Sequence, residues 1–242
     1  MMKKVLSIFL ILLLLALTGC GTAKNSAESV PDTGKEQQTP VPEETAAPAD
    51  AEPETIEPEE PESSETEASS GILVLFFSRT GEQYSVGVIE KGNTAIVAEM
   101  IADETGADLF EILPADDHYP MTYSALTDVA KKEQNDRARP AYQGEFPELS
   151  AYDTVFIGAP VWWGDWPMIM YTVFESNDFS GKTLIPFSTH EGSGLSGFDK
   201  KLRNACPGSE VLKGLAIRGN DAQNNQDRAG ESVRGWLKEL GF

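Results

Sequence analysis

The stretch GAPVWWGDWP, residues 158–167, holds three of the chain's four tryptophans, Trp162, Trp163 and Trp166. Indole is flat, apolar and poor in rotamers, so such a cluster suits a local aromatic core or the stacking of a planar ligand. A second stretch, FFSRTG (76–81), is followed after eleven residues by Asn93-Thr94 opening a helical pattern. Hydroxyls, turn amides and the positive end of a helix can together hold an anion, with Arg79 adding a charge-assisted contact. The same residues also read as an N-cap and an ordinary turn. A third stretch, PFSTHEGSGLSG (186–197), is glycine-rich and carries His190, whose charge can change near neutral pH.

Other reactive side chains point to less. Asp116, Asp117 and His118 have no spacing typical of a metal site and read as a solvated turn, so no metal is expected. Cys206 stands in NACPG without a histidine nearby and reads as a packed small residue. Trp236 falls on the apolar stripe of the last helix and reads as core.

Alternating elements must position these loops. ILVLFF (72–77) is continuously apolar, as in a strand covered on both faces. Helical spacing follows at Ile96, Val97, Met100 and Ile101, stopping at Gly106. A strand over 107–113 and a helix over 122–137, with Tyr123, Leu126 and Ala130 inward, come next. Then come a strand at 153–160, a helix near 168–175, a strand at 182–189, a small helix near 196–204, a strand at 209–217 and a closing helix with Val233, Trp236, Leu237 and Leu240 on one face. This is an α/β, doubly wound, five-stranded parallel sheet with helices on both faces, and right-handed crossovers favour the order 2-1-3-4-5. All three loops then fall at the carboxyl edge, beside the switch point where such sheets bind ligands.

The rest of the chain is of different composition. Lys3 and Lys4 precede an apolar run to about Leu17, which reads as an export leader, and LTGC (17–20) resembles a bacterial lipobox. That resemblance implies that residues 1–19 are removed and that Cys20 carries the lipid anchoring the protein to the membrane. Residues 21–70 contain seven prolines and no aromatic residue, with 14 acidic against two basic residues. They read, with Cys20, as a disordered acidic tether over 20–70. The leader contributes +2 and the tether −12 to the total of −20, so residues 71–242 carry −10. That stretch suits one domain, and its acidity counts against nucleic-acid binding.

Taken together, FFSRTG…GNTAIVAEMIA resembles the flavodoxin phosphate loop, Ser/Thr-x-Thr-Gly-Asn-Thr. GAPVWWGDWP and PFSTHEGSGLSG resemble that family's ring-stacking and ring-edge loops, and the likeness, with ADLFEILPADDHYP, extends over 71–242. The resemblance implies FMN rather than FAD. It assigns the phosphate to Ser78, Arg79, Thr80, Gly81, Asn93 and Thr94, and the ring to Pro160, Val161, Trp162, Trp163 and Gly164. Thr189, His190, Glu191, Gly192, Ser193 and Gly194 would approach the other ring edge. One departure is the insert EQYSVGVIEKG (82–92), whose alternating Tyr84, Val86 and Val88 suggest a hairpin over the site, with Gly92 taking over the tight-turn role of Gly81.

The functional expectation is an electron-transfer protein tethered outside the cytoplasmic membrane and serving redox partner proteins. The alternatives are an FMN-dependent NAD(P)H reductase of quinones or other small acceptors, and a scaffold without cofactor that only binds partners. A second Gly-rich nucleotide fingerprint is missing from residues 71–242, which favours the carrier over the enzyme. Aromatic walls and an acidic surface disfavour added negative charge on the ring, so a low redox potential is expected.

Overall fold

The computed structural model describes residues 71–242; the expected leader, the expected lipidation at Cys20 and the expected acidic tether lie outside the described residues. Strand β1 (Ile72–Phe76) is followed by a hairpin of β2 (Gly81–Gln83) and β3 (Gly87–Ile89), then helix α1 (Asn93–Thr105). Strand β4 (Asp108–Glu111), helix α2 (Tyr123–Asp136), strand β5 (Thr154–Pro160) and helix α3 (Met168–Ser176) come next. Strand β6 (Thr183–His190), helix α4 (Phe198–Ala205), strands β7 (Glu210–Val211) and β8 (Leu215–Arg218), and helices α5 (Gly219–Asn224) and α6 (Gln226–Leu240) complete the chain.

The large sheet runs β4-β1-β5-β6, with β7 and β8 both pairing β6, and every pairing is parallel. Taking β7 and β8 as one interrupted strand, this is the expected order 2-1-3-4-5. The apolar run of β1 divides between two cores because successive side chains in a strand point to opposite faces. Leu73, Leu75 and Phe77 pack with Ile169, Val173, Phe198 and Leu202. Val74 and Phe76 pack on the other face with Ile96, Val97, Ile101, Val233 and Trp236. Trp236 is therefore core, as its helical position implied, while its Nε1 donates to the Lys213 carbonyl at 2.9 Å.

Three local readings change. The fifth strand breaks into β7 and β8, and a Cβ at Gly214 would come within 2.6 Å of the Pro186 carbonyl oxygen. A short helix not foreseen from the sequence, α5, precedes the closing helix α6 and is separated from it at Asn225, whose backbone (φ −140°, ψ 54°) is not helical. Tyr123 does not point into the core: it begins α2 and stays 37% exposed, whereas Leu126 and Ala130 are buried.

Candidate functional site

The two halves of the anion-binding motif meet despite the insert between them. Gly92 lies so close to the first loop that a Cβ there would stand 2.1 Å from Ser78 Oγ and 2.8 Å from the Arg79 carbonyl oxygen. Ser78, buried, accepts the Ala95 N–H at 3.0 Å, which ties the loop to the start of α1. An α-helix leaves its first amides without intrahelical acceptors, and Gly92 at the N-cap supplies no side chain to fill that role. The N–H groups of Asn93 and Thr94 thus remain to meet an anion, helped by the helix dipole. Thr94 Oγ1 and Thr189 Oγ1 are 2.8 Å apart in the interior, joining this loop to the end of β6. Asn93 is fixed in turn by Gln223, whose Nε2 donates to Asn93 Oδ1 at 2.9 Å and to the Lys91 carbonyl at 2.7 Å.

Arg79 is engaged elsewhere. Its Nη1 donates to both Asp117 carboxylate oxygens, at 2.8 and 2.9 Å, and Nη2 donates to the Tyr119 carbonyl at 2.9 Å. Only Nε, buried, has no partner among the described residues. The expected charge-assisted anion contact from Arg79 is therefore not set up: the guanidinium braces the 116–119 turn. Gly81 serves the hairpin, since a Cβ there would meet the Met121 carbonyl oxygen at 2.7 Å; the Thr80 carbonyl accepts Gln83 Nε2 at 3.3 Å.

The tryptophans have separate roles. Trp166 is core, 1% exposed and stacked on Phe198 with ring centroids 3.6 Å apart. Trp162 packs edge-on against Phe77 and Tyr119, at 5.4 and 5.2 Å. Trp163 is 53% exposed with a positive φ of 51°, a conformation that costs a bulky residue on the order of 1 kcal/mol and implies that the loop dictates it. Its Nε1 donates to the Thr127 carbonyl at 2.9 Å, and Lys131 Nζ lies 5.0 Å from its ring centroid. Asp165 holds the loop from below: its Oδ1 accepts the Tyr171 hydroxyl at 2.9 Å and lies 3.1 Å from Lys201 Nζ.

The third loop leaves β6 at His190. Gly192 N–H donates to His190 Nδ1 at 2.9 Å, which fixes a neutral tautomer with its proton on Nε2. Burial, the largest influence, lowers the His190 pKa below the ordinary imidazole value. Glu191 is occupied: its Oε1 accepts the Asn220 N–H at 2.6 Å. Gly192 and Gly194, at φ 122° and 61°, give the loop its turns, and Ser188 Oγ donates to the Gly194 carbonyl at 3.2 Å.

These loops enclose a cavity of about 320 Å³, at the small end for ligand sites. Asn93 reaches it from the first loop, Pro160, Val161, Trp162 and Trp163 from the second, and Thr189, His190, Glu191 and Ser193 from the third. Ser78 and Thr94 hold the cradle together behind it; Gly164, Gly192 and Gly194 shape turns; Arg79, Thr80 and Gly81 are not part of its wall. Further wall residues were not named among the site residues: Gln83 and Tyr84 of the hairpin expected over the site, and Tyr123, Leu126, Thr127 and Ala130 of α2. The 3.6-residue spacing of the α2 set was a signal, although it reads equally as a core stripe.

Comparison with known proteins identifies the family and the fold. The sequence profile of the Flavodoxin family matches residues 83–234. The chain belongs to the flavodoxin family. A provisionally assigned flavoprotein from Bacteroides uniformis is 32% identical, with a TM-score of 0.56, over 70% of this chain and 99% of that one. Another from Bacteroides eggerthii is 29% identical, with a TM-score of 0.56, over 71% and 98% of the two chains. A flavoprotein from Lactobacillus acidophilus, solved in complex with FMN, is 21% identical with a TM-score of 0.48, over 64% and 96%. No curated protein matches the chain.

Within this flavodoxin-family domain one polar cluster lies beside the tryptophan loop. Glu133, buried on α2, accepts from the Tyr119 hydroxyl at 3.1 Å and pairs with His118 Nε2 at 2.7 Å, while His118 Nδ1 lies 2.9 Å from the Asp116 carbonyl oxygen. Donation from both ring nitrogens requires the imidazolium, and the Glu133 hydrogen bond accordingly raises the His118 pKa. Burial pushes the Tyr119 hydroxyl well above its ordinary range, so it stays a donor. Asp117 is thus engaged by Arg79 and His118 by Glu133.

Proposed function

We propose that residues 71–242 form an FMN-binding redox domain that exchanges electrons with partner proteins. The observation that carries this reading is the convergence, at one end of the sheet, of the α1 start with the aromatic-walled cavity. The site fits the group. The N–H groups of Asn93 and Thr94 would hold the phosphate, with Ser78 positioning the loop around it. Trp162 and Trp163 would wall the flat ring, and residues 189–194 would follow its edge. When bound, FMN supplies one- and two-electron chemistry at the ring. The chain's residues would bind and orient it, with Trp162 and Leu126 contributing apolar surface to the wall. His190, neutral and hydrogen-bonded through Nδ1, presents its proton on Nε2.

The decisive experiment is titration of the purified protein with FMN. Saturable one-to-one quenching of flavin fluorescence supports the reading; free flavin at every ratio overturns it.

The proposal extends to the remainder of the chain on sequence grounds. The leader and LTGC favour export and lipidation at Cys20, which would tether the domain outside the cytoplasmic membrane through residues 20–70. The −10 charge of residues 71–242 would steer basic redox partners toward it.

A further inference from the structure

Two walls of the cavity are joined behind it by polar groups that do not line it. Leu126 and Ala130 form wall from α2, and Trp162 forms wall from the tryptophan loop. Glu133 continues the buried stripe of α2 about one turn beyond Ala130 and places a carboxylate where the stripe is otherwise apolar. Its Oε2 accepts the Tyr119 hydroxyl at 3.1 Å, and the Tyr119 ring meets Trp162 edge-on with centroids 5.2 Å apart. The same ring meets Phe77, the residue before Ser78, at 5.9 Å. The fit of α2 against the tryptophan loop thus passes through Glu133 and Tyr119.

A buried carboxylate is costly unless its charge is paired. Among the described residues no lysine or arginine forms an ion pair with Glu133; its counter-charge is His118, whose Nε2 lies 2.7 Å from Oε1. His118 Nδ1 faces a second acceptor, the Asp116 carbonyl oxygen, at 2.9 Å. Only the imidazolium serves both. Neutral imidazole has a single N–H, so loss of the proton turns a bare nitrogen toward one of these oxygens and leaves Glu133 without its counter-charge. The other charges around the ring do not compensate. Asp116 and Glu133 both favour its charged form, Asp117 is held by Arg79, and exposed Lys132 is held by Asp136. Arg79 also clamps the turn backbone at the Tyr119 carbonyl, so the change falls on the Tyr119 side chain and on the Trp162 ring against it. We propose that His118 is a positioning residue of the flavin site, its proton holding Glu133 and Tyr119 in the arrangement that sets Trp162 in the cavity wall. The inference rests on the FMN reading above and deepens it: FMN binding and protonation of His118 favour one another, each by the same factor.

The test compares FMN dissociation constants of the wild-type protein and His118→Gln, by fluorescence titration from about pH 6 to about pH 9, which spans the raised His118 pKa. Ionisation of the FMN phosphate and of His190 affects both proteins alike, so the ratio of wild-type to variant constant at each pH isolates His118. That ratio should rise about fivefold as pH passes through the His118 pKa, at the lower end of couplings between sites. Reciprocity gives a second readout that needs no redox activity: the His118 midpoint by NMR should be higher with FMN bound, by about 0.7 for a fivefold coupling. Glu133→Gln keeps an acceptor for Tyr119 and removes the charge. It should lower the His118 midpoint and shrink its movement on FMN binding. A ratio that is constant with pH would show His118 to be merely structural and overturn the proposal, as would a His118 midpoint that FMN leaves in place. Failure of the wild type to bind FMN at any pH would instead remove the reading on which the inference stands.

Discussion

Gly92→Ala separates two explanations of a glycine that predict opposite signs. The backbone at Gly92, φ −66° and ψ 146°, is one alanine adopts readily. If conformation were all that mattered, alanine would stabilise the protein by about 0.4–1 kcal/mol through the unfolded chain. The structure argues otherwise. The new Cβ would stand 2.1 Å from Ser78 Oγ, 2.8 Å from the Arg79 carbonyl oxygen and 3.0 Å from the Arg79 nitrogen. Rotating Ser78 away relieves only the first clash and strands the Ala95 N–H, a loss of about 1–3 kcal/mol. The two backbone contacts can be relieved only by moving the loop, an overpacking cost of about 1–3 kcal/mol. We therefore expect the flavin-free protein to lose stability by a few kcal/mol in denaturant unfolding. We also expect FMN to bind about fivefold to a hundredfold more weakly by fluorescence titration, since the displaced loop bears the anion cradle. Gly235→Ala is the control: nothing lies within 4 Å of its Cβ, and within α6 it should stabilise by about 0.5–1 kcal/mol. A Gly92→Ala protein as stable and as tight-binding as the wild type would refute the convergence of the two motif halves.

Other outcomes follow from the same geometry. Trp163→Ala should weaken FMN by about 0.5–1.5 kcal/mol with little change in stability, whereas Trp166→Ala should cost about 3–5 kcal/mol of stability in denaturant melts. The chain's two histidines should titrate in opposite directions by NMR: His118 above the ordinary value of 6.5, held by Glu133, and His190 below it, held by burial. The signs differ accordingly. His118 contributes stability that is fully present below pH 6.5 and lost as pH rises through its raised pKa. His190 contributes stability present above pH 6.5 and lost as pH falls through its lowered pKa, where protonating Nδ1 breaks the bond from Gly192. Identical titration midpoints would contradict both assignments. Cys206 is buried, with its thiol pushed up to about 12, so Ellman's reagent at pH 8 should leave it unmodified until the domain unfolds. Once FMN is bound, its potential should fall below that of free FMN, because the domain's net charge of −10 opposes charge on the reduced ring. A potential equal to or above the free value would sink that reasoning.

The sequence by itself determined the sheet and its ligand-binding edge. The apolar run at 72–77, the helical stripe at 96–101 and the spacing of three loops after three strands are local patterns, and local patterns suffice where both faces of a parallel sheet are covered. It also distinguished Trp236 from the tryptophan loop, since only the former repeats with a helix. The resemblance set Trp163 and not Trp166 at the ring, but no local pattern supplied the physical reason, since the two lie three residues apart and are chemically identical. Stacking on Phe198 from α4 put Trp166 inside, while a positive φ and the Thr127 carbonyl kept Trp163 at the cavity. Arg79 was assigned to the anion, and its pairing with Asp117 could not be foreseen, because Asp117 lies 38 residues away and no local rule pairs them. The hairpin was legible as a hairpin, yet that it would rest on Met121 and line the cavity with Tyr84 depended on where α2 begins in space. Periodicity fixes which way a side chain faces on its own element; the partner it meets depends on contacts between distant segments, and only the assembled fold supplies those.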